Sequence, residues 1–200
     1  MVVTAVTDGR TARAERTRRA VVEAHIELLR AGMLKPTGAQ VAEHAGVSLR
    51  ALWVNFSDLD TLMAFTGAEM LRRQDELFVP VPPHLPLAER IDGFCRQRAR
   101  LLEFAAPYAR AAILRQQFSE ELRRHRLRHI ARVTDEVRIL FARELSALDE
   151  RRRVRLVYAL GAAATWGSWA VLRDELQLGV DEATAVLRQS VTCLLACVAV

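Results

Sequence analysis

Arg50 carries the most legible chemistry in this chain. It is the one long donor in the run SLRAL, Ser48 to Leu52, and a planar guanidinium fork suits two targets: the paired acceptors of a guanine edge, or the oxygens of a phosphate. Around it, within TGAQVAEHAGVSLRALWVNF (residues 37 to 56), stand Thr37, Ser48, Leu49, Ala51, Trp53 and Asn55. Two hydroxyls, an indole N–H and a carboxamide among them are groups that can address base edges and phosphates.

To put those groups on one surface the stretch must fold as helix, tight turn, helix. Thr37 can N-cap the first helix, Val41 and Ala42 give it an apolar face, and Gly46 stands where the chain must turn with φ positive. Ser48 can cap the second helix. There Leu52, Val54 and Phe56 are expected to lean on neighbouring helices, leaving Ser48, Leu49, Arg50, Ala51 and Asn55 mostly free. A small Ala42 four residues before Gly46 lets the two helices cross closely, the geometry of a DNA-reading helix-turn-helix.

With its flanks, this motif resembles the N-terminal domain of tetracycline-repressor-type (TetR family) regulators. The resemblance runs from Arg18 to Leu62: an opening helix (RRAVVEAHIELLRAG), Thr37 with Val41 and Ala42, AGVS at Ala45 to Ser48, the pattern Trp53, Asn55, Phe56, then Asp60 and Leu62. Three positions depart from the family pattern. Trp53 stands for the usual Tyr, Asn55 for His or Tyr, and Leu59 for a phosphate-binding Lys. The resemblance implies a helix-turn-helix domain over residues 1–57 and a larger helical ligand-binding and dimerisation domain over 58–200, about nine helices in all. It implies a homodimer on a near-palindromic double-stranded operator, most simply a repressor released by a small-molecule effector, with Thr37, Ser48, Leu49, Arg50, Ala51, Trp53 and Asn55 as DNA contacts.

Composition agrees with an all-α protein, since Gly and Pro are scarce. No run of about eighteen uncharged apolar residues exists, and the N-terminus has no apolar signal region, so neither a membrane span nor a secretory signal is expected. Three cysteines, Cys95, Cys193 and Cys197, have no metal-ligand spacing and fit a reduced, cytoplasmic compartment. The net charge of +5 is weak evidence for nucleic acid, because its excess lies in residues 115 to 143, with eight basic side chains against four acidic, outside the helix-turn-helix. More local is the arm Arg10, Arg13, Arg16, Arg18 and Arg19, which reads either as a groove- or phosphate-following segment or as a polar tail.

Beyond the motif, helices are expected over residues 16 to 31, from Ser57 or Asp58 to Phe78, Leu87 to Ala106, Tyr108 to Gln117, Ser119 to Leu145, Leu148 to Leu176, and from Asp181 onward. The four prolines of VPVPPHLP and then Pro107 set boundaries. Phe94, Phe104, Tyr108, Phe118 and Trp166 are candidates to line an apolar effector pocket, with ordinary core packing the alternative for each. His125 and His129 lie four apart, but the arginines around them and the lack of a carboxylate in that turn argue against a metal. The small-residue face of 148 to 176 and the apolar last helix are the expected dimer interface, with burial in the monomer as the alternative. No cofactor is implied. There is no phosphate loop, HExxH or nucleophile elbow, so an enzyme is not expected. A helical interaction protein with weakened DNA affinity, or an enzyme whose residues meet only in the fold, are the competing readings.

Overall fold

The computed structural model describes residues 4–115 and 119–196. They form ten α-helices and a π-helical turn, with no strand among the described residues. The chain divides into two compact units, one of Met1–Arg73 with Pro107–His125, the other of Gln74–Ala106 with Arg126–Val200.

In the first unit α1 (Thr4–Arg30), α2 (Gly38–His44) and α3 (Leu49–Asn55) pack on one another in pairs. Val21, Ile26, Val41, Leu52 and Phe56 are buried, and each such side chain stabilises by roughly 1.5–3 kcal/mol. From α4 (Leu59–Leu77), Met63 joins Leu29 of α1 in a second cluster with Ala111 and Leu122. Helix α1 begins at Thr4, earlier than the expected residue 16, and the arm's Arg13, Arg16, Arg18 and Arg19 stand exposed on it ahead of the buried Val21.

Helix α5 (Leu87–Ile113) runs through Pro107, where the sequence calls for a boundary. Pro107 removes one backbone bond at a cost of about 3 kcal/mol, but the same helix buries Ile91, Phe94, Leu101, Leu102, Ala106 and Ala111, whose packing exceeds that loss. The border between the compact units nonetheless falls between Ala106 and Pro107.

The second unit adds α6 (Glu120–Leu140) from Arg126 onward, α7 (Ala142–Ser146), α8 (Glu150–Ala163), α9 (Trp166–Ala170), the π-helical turn Val171–Glu175 and α10 (Val180–Ala196). The single helix expected over 148 to 176 is broken at Thr165, which is extended (φ −91°, ψ 165°). Side chains satisfy the carbonyls freed there: Thr165 and Ser168 hydroxyls donate to Ala162 O, and buried Arg98 donates through Nε and Nη2 to Ala164 O at 3.3 and 3.2 Å. A cation at a helix C-terminus is favourable. Arg98 also stands 3.9 Å from Glu136, whose carboxyl burial holds above the usual carboxylate range.

Helix α10 packs on α8 and turns Ala183, Leu187, Val191 and Leu195 into the unit's own core. Leu195 is therefore a core residue, and Leu194 packs partly against the same core. Cys193 is exposed because it falls on the opposite side of this i, i+4 series; Cys197 lies outside the described residues. No described helix is long and apolar enough to cross a membrane.

Candidate nucleic-acid interface

Both helices of the motif start on side-chain caps. Thr37 (φ −79°, ψ 158°) accepts at Oγ1 from Gln40 N, while Gln40 Oε1 accepts from Thr37 N at 2.8 Å, a reciprocal capping box. Gly46 makes the turn at φ +64°, and Val47 N closes it on Ala42 O at 3.0 Å. Ser48 Oγ then accepts from Ala51 N at 3.1 Å. Each cap contributes about 1 kcal/mol, so the start of each short helix is fixed locally before packing is counted. His44 Nε2 meets Glu27 Oε2 at 2.8 Å and ties the end of α2 to α1.

Leu52 is the residue that α3 buries completely, with Phe56 buried just past its end. Its outer face carries Leu49 (44% exposed), Arg50, Trp53 (40%) and Val54 (77%). Val54 does not lean on a neighbour as expected: it lies two residues from Leu52, about 200° round the helix, and so on the opposite side. Arg50 is exposed and makes no hydrogen bond or ion pair among the described residues. The other polar groups expected to be free are engaged: the Ser48 hydroxyl in its cap, and Asn55 Nδ2 on Ala51 O at 2.8 Å. Ala51 is half-buried. Thr37 is exposed with its hydroxyl on Gln40 Oε1 at 2.9 Å.

Trp53 covers Gly38 at the start of α2 and also lines a pocket of about 390 Å³ with Ser57, Asp58, Leu59, Asp60 and Arg115. Both carboxylates there are occupied. Asp58 accepts Thr61 N at 2.7 Å, which holds its carboxyl below the usual range, and Asp60 pairs with Arg115 Nη1 at 2.8 Å. Behind this edge His25 is buried on α1, its Nδ1 2.7 Å from Thr66 Oγ1. The Thr66 hydroxyl donates to Leu62 O at 2.9 Å, so the imidazole must donate to Thr66. Burial, and then the nearby Arg115 charge, bring the His25 pKa down to about 4, leaving it neutral.

The candidate pocket aromatics are placed differently. Phe94 is fully buried edge-on to Phe141 at 5.7 Å, and Trp166 packs partly buried against that core. Phe104 is half-buried. Tyr108 belongs to the first unit, its hydroxyl against Gly67, and Phe118 lies outside the described residues. His129 faces Arg98 at 3.4 Å and is depressed to about 4 by burial and that charge. Among the described residues no cluster of three or more His, Cys, Asp or Glu could hold a metal ion.

Sequence reasoning missed Gln40, although Thr-x-x-Gln is a legible capping signal, and missed Arg115, which lies 55 positions from its partner Asp60 with no local pattern to mark it. No protein-family model matches the chain, and no curated protein matches it.

Proposed function

We propose that this chain is a ligand-responsive transcription regulator of the tetracycline-repressor type, most simply a repressor, which reads double-stranded DNA through α3. One observation supports this above the rest: two short, side-chain-capped helices joined at a positive-φ glycine, with the unpaired Arg50 on the open face of the second. A buried or structural arginine would have found a partner, as Arg73, Arg90 and Arg98 do. In this reading a homodimer sets two α3 helices into successive major grooves, and an effector taken up by the helical body shifts their spacing through α4. Affinity depends on both helices engaging about one DNA turn apart. Selection of bound sequences from random duplex DNA, followed by competition with small-molecule pools, tests it. Recovery of a near-palindromic site whose binding weakens with salt supports the proposal. Failure to enrich any duplex sequence sinks it.

The apolar share of the α3 face and the Leu59 departure give some support to a second reading, a helical interaction protein with weakened DNA affinity. Salt-independent, sequence-independent retention of DNA would favour that one.

A further inference from the structure

With 3.6 residues per turn, Leu49, Trp53, Arg50 and Val54 fall at roughly 0°, 40°, 100° and 140° around α3, one unbroken arc. All four are exposed, and they are three apolar side chains with a single guanidinium among them. Beside the Arg50 guanidinium the arc offers only the indole N–H of Trp53 as a donor, since the Ser48 hydroxyl accepts from Ala51 N and Asn55 Nδ2 donates to Ala51 O within α3. Single exposed aliphatics are ordinary. Here, however, Val54 is a β-branched residue on a seven-residue helix that gains nothing from core packing and has lower helix propensity than the straight-chain residues. The wall of a major groove offers such a side chain one apolar partner, the C5-methyl group of thymine.

We infer that α3 reads thymine methyl groups beside a guanine: Leu49 and Val54 are the methyl contacts, and Arg50 between them takes the guanine O6 and N7. The inference rests on the DNA-reading function proposed above and specifies what that function recognises. Leu49 and Val54 are separated by roughly 7.5 Å along the helix axis, at 1.5 Å per residue. That is about two base-pair steps of roughly 3.4 Å, so the methyl groups lie within about two base pairs of the guanine. The indole of Trp53, which lies over Gly38, stands on the same arc between Leu49 and Arg50.

The test replaces thymine by deoxyuridine, which lacks only the methyl group, one position at a time in the operator recovered by selection. Binding is read by fluorescence anisotropy with wild-type protein and with Leu49→Ser and Val54→Ser, exposed positions whose substitution leaves the core intact. Affinity is expected to fall about fourfold for each contacted methyl group removed. Each serine variant should lose the thymine-over-uracil preference at one position and keep it at the other. Equal binding of thymine and deoxyuridine operators overturns the inference while leaving DNA reading standing, as does a preference that survives in both variants, or a half-site with no thymine within two base pairs of its guanine. If no duplex is enriched, the DNA-reading function fails and this inference with it.

Discussion

The outer ring of Trp53 occupies the space that a side chain at position 38 would need: a β-carbon on Gly38 would fall 2.3 Å from Cζ2 and 2.8 Å from Cη2 of the indole. The first residue of α2 and the middle of α3 are thus in contact, and a side chain at residue 38 would displace the indole from its present position. Because Trp53 is 40% exposed it can swing away, so Gly38→Ala should cost little stability, about 1 kcal/mol or less, yet disturb the reading face. Thermal unfolding and operator titration in parallel check this. A variant that binds DNA as wild type does would show that the indole position is irrelevant to reading.

Arg50→Ala should weaken operator binding by roughly 1 to 3 kcal/mol and relax preference at one position per half-site. Since Arg50 is exposed and without a partner among the described residues, stability should not change. A loss that is uniform across sequences would assign Arg50 to a phosphate instead.

Leu59 opens α4 beside Trp53, where the resembling family carries a phosphate-binding lysine, and the acidic groups next to it are already occupied by the α4 cap and by Arg115. Leu59→Lys should raise operator affinity at low salt and steepen the log–log salt slope by about 0.9 per contact, about 1.8 for a dimer. Arg115→Ala should act in the opposite direction by releasing the Asp60 carboxylate. Unchanged slopes in both would mean that this edge does not face DNA.

Leu195 belongs to the core of its own unit, so Leu195→Asp should unfold that unit by burying an unpaired charge and would say nothing about dimers. Tyr158 and Ala162 lie exposed one turn apart on α8, and replacing both with Arg should give monomers of unchanged thermal stability with weakened operator binding. Sedimentation at micromolar concentration decides; a wild-type monomer would falsify the proposed dimer.

His25 predicts a pH dependence of defined sign. Its imidazole titrates near 6.5 when unfolded and at about 4 when folded, so the unfolded state binds the proton first as pH falls. Stability from this group is complete above 6.5 and is lost between 6.5 and 4, by up to about 1.4 kcal/mol per pH unit. Carboxylates such as Glu69, lowered to about 2 by its bonds to Arg72 and Arg73, contribute losses only below about 4.5, and they do so in wild type and variant alike. Urea unfolding at pH 7 and pH 5 should therefore show a larger drop for wild type than for His25→Asn. Equal drops would mean that His25 takes up a proton in the folded state.

What the sequence determined by itself is whatever depends on neighbours in the chain. The Thr37 and Ser48 caps, the Gly46 turn and the apolar spacing of Val41, Ala42 and Leu52 are local signals, and they specify a helix-turn-helix in an all-α protein without reference to anything distant. Tertiary structure decided whatever depends on which face of a helix finds a partner. Val54 and Leu52 are both aliphatic and two apart, and only the placement of α1 and α2 against α3 separates the exposed one from the buried one. Pro107 stays helical within a helix that buries Phe94, Leu101, Leu102, Ala106 and Ala111, and the break at Thr165 is tolerated because Arg98, far away in sequence, donates to the freed Ala164 O. Local propensity is worth about 1–3 kcal/mol at such positions, and burial or a charge-assisted bond from a distant residue is large enough to override it.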